Sequence, residues 1–476
     1  MKYWFSLLLL GMLWGCHSKP RKAVPGNEPI ARQFLQQDLV VLRQTLEDAH
    51  PGLYWYASKK ELSACFDSVQ HLLNHEMTVQ EFFKTLLPLI SKIRCGHTSI
   101  SLPPQFGHDF DTMQLLPLKI YCTDKKIFIT QCIPGKNYEG YELLRINGQD
   151  VTRIVDTLLN DIAADGYNQT FKYHLLSGAF FREGYRFRYG PQPAFMLDML
   201  DKKGQPISAT IPALSAATIK EKEYSLVPSS PRLFMDVQFT DTSKTALLIV
   251  SSFNVDTASF RRGVTRAFMD IHGRGYQQLI IDIRDNGGGN NNNVGTLFSF
   301  LAGSAFLHLR SAEVSTDSFR SLRYVQNANA FRHWTVKREQ GMFLVNDQYR
   351  GTQWQQPAKE YRFTGKVILL INGGTLSAAG EFAALFKTNQ RGIVVGEETG
   401  GCYYGATGGS FMNLVLPNSK IRARIPTVKI TTAVKKDIVA QPVGRGTIPD
   451  LVITPSINDI ISGNDIQLKT ALGLFR

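Results

Sequence analysis

The strongest chemical feature of the chain is a serine between a glycine turn and a segment of small residues. Residues 366–386 read KVILLINGGTLSAAGEFAALF. The run 367–371 predicts a buried strand, the Asn-Gly-Gly at 372–374 predicts a turn, and 378–386 predicts a helix packed on a sheet. The Ser377 hydroxyl would then lie at a helix N-terminus, where free amides and the helix dipole favour a developing negative charge. The alternative is that this serine only caps the helix.

A second apolar segment ends in a glycine-rich turn. Residues 278–284 (QLIIDIR) predict a buried strand, and Asp-Asn-Gly-Gly-Gly follows at 285–289. Three successive glycines after such a strand allow backbone amides to approach a ligand closely. A flexible loop is the alternative, since four asparagines follow at 290–293. A glycine turn and a serine turn at the same ends of two strands would together supply an oxyanion hole and a nucleophile.

Three motifs, LIIDIRDNGGG, TLSAAGEFA and VVGEETGG, occur in an order that resembles the tail-specific (C-terminal-processing) serine peptidases. That superfamily includes the tricorn protease core and interphotoreceptor retinoid-binding protein. The segments CGHTS (95–99) and GTIPDLVI (446–453) are also similar to the family. The resemblance implies a crotonase-like (tricorn-core) catalytic domain with Ser377 as nucleophile. It also implies an oxyanion hole made of the amides of Ala378 and of Gly288, with Gly289 as the alternative to Gly288.

The chain lacks the lysine that one branch of this superfamily uses as its base. In that branch the lysine follows the serine by 25 residues, and Cys402 occupies the position here. A serine hydroxyl is a weak nucleophile without an adjacent base. The tricorn-like and retinoid-binding-like branches often carry a histidine in a segment similar to CGHTS, so the resemblance implies His97 as the base. Histidine has a suitable pKa for this work near neutrality, and the alternative is an ordinary surface or core histidine.

The group that would orient this histidine is not identified by the sequence. Tricorn-like enzymes carry a glutamate shortly before the closing G-x-x-P-D segment, but residues 441–445 contain no acid here. Glu381 follows Ser377 by four residues and would share its helix face, although it could simply complement the helix dipole. The candidates are three nearby acids and two hydroxyls: Glu398, Glu381, Asp437, Thr98 and Ser99.

The first fifteen residues predict a bacterial lipoprotein signal peptide. A short positive start precedes the apolar run 3–14, and Leu-Trp-Gly-Cys at 13–16 resembles a lipobox, with an unusual tryptophan before the glycine. Cleavage would leave Cys16 for lipidation and residues 16–28 as a tether. An ordinary signal peptide or an uncleaved anchor is the alternative. No acidic cluster follows Cys16, which favours a periplasm-facing protein of the cell envelope over surface display.

Composition agrees with globular domains behind this leader. The 476 residues allow two or three domains, with 43% hydrophobic and 20% charged residues. The net charge of +13 comes from dispersed basic residues, so we expect no nucleic-acid partner. Five cysteines remain after Cys16, without metal-ligand spacing. We therefore expect buried free thiols and neither metal nor cofactor, with a disulfide between Cys95 and Cys402 as the alternative.

The chain predicts four parts beyond the tether. Residues 29–100 form a helical region, with one helix ending at His-Pro-Gly 50–52 and others near 60–75 and 78–94. By resemblance, 110–165 form a PDZ-like β-rich module with a helix at 151–159. Residues 166–240 predict a connecting region of strands and loops. Residues 241–456 alternate strand and helix and predict the α/β catalytic domain.

These observations predict a membrane-anchored periplasmic serine peptidase that cleaves peptide bonds in a peptide or protein substrate. Ser377 would be the nucleophile and His97 the base. The alternative is a catalytically inactive peptide- or ligand-binding lipoprotein on the same scaffold, since the retinoid-binding member shows that this fold can bind ligands. A purely structural envelope lipoprotein would leave both glycine motifs unexplained.

Overall fold

The structure, a computed structural model, describes most of the chain. The described residues are 28–107, 110–133, 135–225, 233–240, 244–319, 322–331 and 335–475. The predicted signal peptide, Cys16 and all but the last residue of the predicted tether lie outside these ranges. Within them, we find no helix with the length and apolarity needed to cross a bilayer.

Three helices form the N-terminal region where the sequence predicts them. They are α1 (Arg32–Ala49), α2 (Lys59–Leu72) and α3 (Val79–Lys92). Ser58 and Thr78 begin α2 and α3 with capping boxes. The buried leucines of these helices pack against apolar residues of the segment 412–425. The helical region therefore shares its core with the C-terminal part of the chain, and the short strand β1 (Ser99–Ser101) pairs with that part as well.

An antiparallel sheet follows, in the order β3-β4-β5-β7-β8 with β6 on β5, and α4 packs on its apolar face. The elements of this part are β2 (Gln114–Leu115), β3 (Leu118–Thr123), β4 (Lys126–Cys132), β5 (Glu142–Ile146), β6 (Gln149–Asp150), α4 (Val151–Asp161), α5 (Thr170–Leu175), α6 (Phe181–Tyr189), β7 (Ala194–Leu200), β8 (Pro206–Pro212), β9 (Leu214–Ser215) and α7 (Ala216–Ser225).

Residues 166–240, predicted as a connecting region of strands and loops, contain helices as well as strands. Helices α5 and α6 are joined by a π-helical turn (Leu176–Phe180), and α7 lies further on. Gly178 has non-helical backbone angles inside this stretch. The kink interrupts the apolar repeat that would mark a single helix in the sequence.

The remaining part contains both strands and helices. Its elements are β10 (Met235–Thr240), β11 (Thr245–Val250), α8 (Thr257–Gly273), β12 (Gln278–Asp282), α9 (Asn291–Ser299), β13 (Leu309–Val314), β14 (Lys337–Glu339), β15 (Met342–Leu344), β16 (Lys366–Ile371), α10 (Ala378–Thr388), β17 (Ile393–Gly396), β18 (Gly405–Val415), β19 (Arg422–Thr432), β20 (Leu451–Val452), α11 (Ile457–Ser462) and α12 (Ile466–Gly473).

The central sheet has the order β10-β11-β12-β16-β17-β20 and is parallel except for β10. Both faces are apolar, as parallel sheets require. Helices α8, α9 and α10 share the core on one face, and α12 packs on the other. In the register of β12 and β16, Asp282 is paired with Leu370. The turns that follow these two strands therefore leave the sheet at the same edge.

A further sheet joins the N-terminal region to the C-terminal part of the chain. One edge of β19 pairs with β1 at Arg422–Arg424 and with β13 at Lys429–Thr432, and β18 lies along the other edge. The predicted mixed α/β fold is confirmed. The finer assignments, a crotonase-like core and a PDZ-like module, and the domain boundaries stay predictions.

Candidate active site

Ser377 lies between β16 and α10 in a backbone conformation that residues with side chains rarely adopt. Its φ is +55° and its ψ is −128°. It occupies the N-cap of α10, yet its side chain makes no capping hydrogen bond. Helix capping therefore does not explain the serine. Sparsely populated backbone conformations cost on the order of 1–3 kcal/mol and cluster at functional sites.

The serine turn is bound directly to the glycine-rich turn. The Asp285 amide donates to Asn372 Oδ1 at 2.9 Å, and Asn372 Nδ2 donates back to Asp285 Oδ1 at 2.7 Å. The Leu376 amide donates to the Asn286 carbonyl oxygen at 3.0 Å. These bonds hold the two strand ends together, as the sequence motifs predict.

Gly288 packs against the serine turn at a distance that only glycine permits. Its φ is +95°, and a Cβ here would lie 2.7 Å from Ser377 Cβ and 2.9 Å from the Ala378 nitrogen. Ala378 begins α10, so its N–H has no partner within the helix. The Gly288 amide, however, donates to Asn286 Oδ1 at 2.9 Å. Its role in the oxyanion hole, like that of the alternative donor Gly289, stays a prediction, and Gly288 would have to release or share this hydrogen bond.

The four asparagines after the glycine turn form ordered contacts instead of a loose loop. Asn290 caps α9 by accepting from the Asn292 amide at 3.0 Å. Asn293 is buried and donates to the carbonyl oxygens of Phe253 and Val255. The turn is therefore fixed on both sides.

Glu381, a predicted candidate for orienting the base, is engaged elsewhere. Its two oxygens accept from Asn291 Nδ2 at 2.8 and 2.6 Å. His308 Nε2 lies 3.0 Å from Glu381 Oε2, although the two groups are not aligned for a hydrogen bond. Both side chains are buried. Glu381 thus belongs to a buried cluster one helical turn beyond Ser377.

Glu398, the other glutamate candidate, closes a loop. Its Oε1 accepts from the Gly446 amide at 2.7 Å and from Asn168 Nδ2 at 3.1 Å. Arg445 binds both of its oxygens, at 2.9 and 2.5 Å. These donors occupy the carboxylate, which ties residues 398–402 to residues 445–446.

The remaining candidates have other positions. Thr98 Oγ1 lies 2.9 Å from His50 Nε2, and the Gly52 amide donates to His50 Nδ1 at 3.2 Å. The hydrogen of the neutral His50 ring is therefore on Nε2, and burial lowers the pKa of His50 to about 4. Ser99 begins β1, and Asp437 is exposed in a surface loop.

His97 is buried in the turn between α3 and β1, beside a carboxylate that the sequence did not suggest. Donor atoms of Cys95, His97 and Asp165 all lie within 4.8 Å of one another. The Gly96 amide donates to Asp165 Oδ1 at 2.7 Å. Asp165 Oδ2 and His97 Nδ1 are both buried without a hydrogen-bond partner. In the sequence, Asp165 precedes a glycine and looks like an ordinary turn residue, so no signal marked it.

Burial is the largest influence on the charge of His97. It lowers the pKa of the imidazole; Asp165 and Glu381 raise that pKa, and Arg424 lowers it. The ring also stacks on Phe411, with 6.0 Å between ring centroids. Burial favours the neutral imidazole, which is the form that can accept a proton from a serine.

The loop 398–402 connects the serine turn with the surroundings of His97. The Gly401 amide donates to the Thr375 carbonyl oxygen at 3.1 Å, and a Cβ on Gly401 would lie 3.1 Å from the Ser377 nitrogen. The next residue, Cys402, is buried, and after burial the nearby charge of Asp165 is the largest cause that raises the pKa of its thiol. Close packing of this loop explains its two glycines.

The five described cysteines are free thiols, and all except Cys65 are buried. This confirms the expected free thiols, and the alternative disulfide between Cys95 and Cys402 is absent. Cys95 Sγ lies 2.8 Å from Thr407 Oγ1. Burial raises the pKa of the Cys95 thiol to about 11, so this thiol is neutral near pH 7.

Comparison with known proteins agrees with the motifs. Residues 244–453 match the model of peptidase family S41. Mature CPAF has a similar structure, with a TM-score of 0.63 at 15% identity over 93% of this chain and 96% of that chain. Mature CPAF complexed with lactacystin gives a TM-score of 0.62 at 15% identity, over 93% of this chain and 98% of that chain. No curated protein sequence matches. The match over residues 244–453 confirms the resemblance to the tail-specific, S41-type serine peptidases that the motifs indicate.

Proposed function

We propose that the protein is a lipid-anchored periplasmic serine endopeptidase that cleaves peptides or proteins by acyl transfer to Ser377. The observation that carries the proposal is the conformation of Ser377. Its backbone is held in a sparsely populated region, at the N-terminus of α10, and its hydroxyl is not used to cap that helix. The match to peptidase family S41 supplies the reaction class.

The proposed reaction has Ser377 as the nucleophile and His97 as the base. Ser377 Oγ attacks the carbonyl carbon of the substrate while its proton passes to His97 Nε2. The C–N bond then breaks as the imidazolium returns the proton to the leaving amine. Water, deprotonated by the same imidazole, hydrolyses the acyl-enzyme. The Ala378 amide, with Gly288 or Gly289, would stabilise the oxyanion, each such donor contributing about 3 kcal/mol.

The surroundings of His97 support its role as the base. Nδ1 is buried without a hydrogen-bond partner, and Nε2 is the nitrogen to which the proposal assigns the serine proton. A Cβ on Gly408 of β18 would lie 3.7 Å from Nε2. Glycine at this position keeps the space beside that nitrogen open.

A second candidate function is peptide or ligand binding without cleavage. The Gly288 amide favours this candidate, because its hydrogen bond to Asn286 Oδ1 leaves the oxyanion hole incomplete. In that case the cleft would bind a substrate-like chain and leave its peptide bonds intact.

A fluorophosphonate probe distinguishes the two functions. The wild-type protein should form a covalent adduct, and Ser377→Ala should form none. Ser58→Ala is the matched control, because Ser58 is an ordinary helix cap, and this variant should keep the label. A folded wild-type protein that stays unlabelled by several serine-directed probes would contradict the peptidase function and favour the binding function.

The lipid anchor requires its own test, since Cys16 lies outside the described residues. Metabolic labelling with a fatty-acid analogue should mark the wild-type protein. Cys16→Ser should lose the label, and undiminished labelling of that variant would refute the anchor.

A further inference from the structure

We propose that Asp165 is the positioning residue of the active site, with its Oδ2 accepting a hydrogen bond from Nδ1–H of His97. This inference deepens the proposed function, because it rests on His97 acting as the base. It places the residue that orients the base in the loop between α4 and α5, far in sequence from both Ser377 and His97.

The two groups are complementary and both lack a partner. His97 Nδ1 and Asp165 Oδ2 are buried atoms without hydrogen bonds. Their two residues and Cys95 each offer one donor atom within 4.8 Å of the others. Buried polar atoms are almost always paired in folded proteins. A single hydrogen bond between these two atoms would satisfy both. Hydrogen bonds of catalytic groups are often long in the absence of substrate and shorten in the bound complex.

The fold holds Asp165 rigidly at this place. Its other oxygen, Oδ1, accepts from the Gly96 amide at 2.7 Å, directly beside the histidine. The following amide, of Gly166, donates to the Arg94 carbonyl oxygen at 2.9 Å. Asn168 then donates to the Thr399 carbonyl oxygen at 2.7 Å. The segment 165–168 is therefore fixed to the histidine turn and to the loop that packs against Ser377.

Among the charged and titratable groups near His97, Asp165 is the acid with an unused oxygen. Glu381 also acts on the imidazole but is occupied by Asn291. Arg424 is a cation, and the Cys95 thiol and the His50 ring are neutral near pH 7. Asp165 is thus the group that can hold the hydrogen on Nδ1 and leave the Nε2 lone pair for Ser377. It would also stabilise the imidazolium without taking the proton itself.

The variant Asp165→Asn tests the role with little change of shape, since its side-chain oxygen can still accept from the Gly96 amide. The rate of acylation by the fluorophosphonate probe should fall about 10³- to 10⁴-fold. The acidic limb of its pH profile should also move to lower pH, because the charge that raises the pKa of His97 is gone. The matched control is Asp161→Asn, which removes a buried carboxylate bound to Arg188. The folded control should keep the wild-type pH profile and a rate within a few-fold.

A second measurement needs no turnover and separates this inference from the proposed function. The Ser377→Ala protein is labelled with nitrogen-15 in its histidine rings and studied by NMR. His97 should appear as the Nδ1–H tautomer. Its signal is identified as the one that disappears in the double variant Ser377→Ala/His97→Ala. Adding Asp165→Asn should shift the ring toward the Nε2–H tautomer. If the wild-type protein is inert to every probe but shows this tautomer, the peptidase function fails and the Asp165–His97 pair stands.

Three results would overturn the inference. The first is an Asp165→Asn variant that keeps a near-wild-type rate of acylation. The second is an Nε2–H tautomer of His97 in the Ser377→Ala protein. The third is stoichiometric zinc in the purified protein that is lost in both Asp165→Asn and Cys95→Ser. That result would make Cys95, His97 and Asp165 a metal site.

Discussion

The turn that carries Ser377 and the turn that carries His97 are positioned by different parts of the fold. The surroundings of Ser377 come from one sheet, in which β12 and β16 are neighbours in register and present their turns at the same edge. The surroundings of His97 come from three distant parts of the chain: the turn before β1, the loop after α4, and β18. The first arrangement follows from strand pairing, whereas the second depends on how separate regions dock.

The two regions also differ in what stabilises them. The strands beneath Ser377 are apolar on both faces, and burial of that surface stabilises them regardless of detail. Around His97 several buried residues are polar or titratable, namely His50, Cys95, Thr98 and Asp165. Buried polar networks are stable only when their members satisfy one another. We therefore expect that distant substitutions which displace His97 will leave the position of Ser377 unchanged.

The largest expected effect comes from removing the base. His97→Ala should lower kcat by on the order of a thousandfold or more, because the members of such a site act as a unit. In the wild type, kcat/KM should rise with pH through an apparent pKa at or below the ordinary value of about 6.5, because burial lowers the pKa of His97. Steady-state kinetics on a peptide substrate measure both quantities.

The control for the base is Cys402→Ala, a buried neighbour at the position of the lysine in the other branch. This variant should stay within about tenfold of wild type, since its thiol has no role in proton transfer. Near-wild-type turnover by His97→Ala would place the base among the lysines and acids of residues 381–437.

A smaller effect is expected from the glycine turn, where the backbone contact is local. Gly288→Ala would place a Cβ 2.7 Å from the Leu376 carbonyl oxygen at a φ of +95°. We expect kcat to fall about 100-fold, comparable to the loss of one oxyanion donor. Gly287→Ala is the matched control, because a Cβ at that position meets nothing within 4 Å. Equal activity of the two variants would show that the contact between the turns is unimportant.

The smallest effect concerns the stability of the histidine region in acid. Burial lowers the pKa of folded His50 to about 4, whereas the unfolded ring titrates near 6.5. The unfolded state therefore binds more protons below pH 6.5, and the free energy of unfolding should fall as the pH decreases toward 4. At pH 5 the loss is about 2 kcal/mol.

Urea unfolding at pH 7 and pH 5 measures this loss. His50→Gln can keep both hydrogen bonds and should remove the contribution of this residue to the pH dependence. An identical pH dependence in wild type and variant would contradict the buried neutral state of His50.

Much of the serine region is predictable from sequence. The strands before both turns, the helix after Ser377 and the contact between the turns follow from apolar runs and glycine positions that are contiguous in the chain. The helices of the N-terminal region are equally predictable from their capping boxes and apolar repeats. The helices between 170 and 225 are not, because a glycine kink and short lengths obscure their periodicity.

The sequence by itself determined the mixed α/β fold, the resemblance to the S41 peptidases and the turn that carries Ser377, because these depend on patterns within a few residues. Only the tertiary structure decided which carboxylate lies beside His97. Glu398 and Glu381 looked suitable by position, but Arg445 and Asn291 occupy them. Asp165 is 68 residues from His97 in the chain, and no local pattern records which distant side chains meet when separately formed regions share a core.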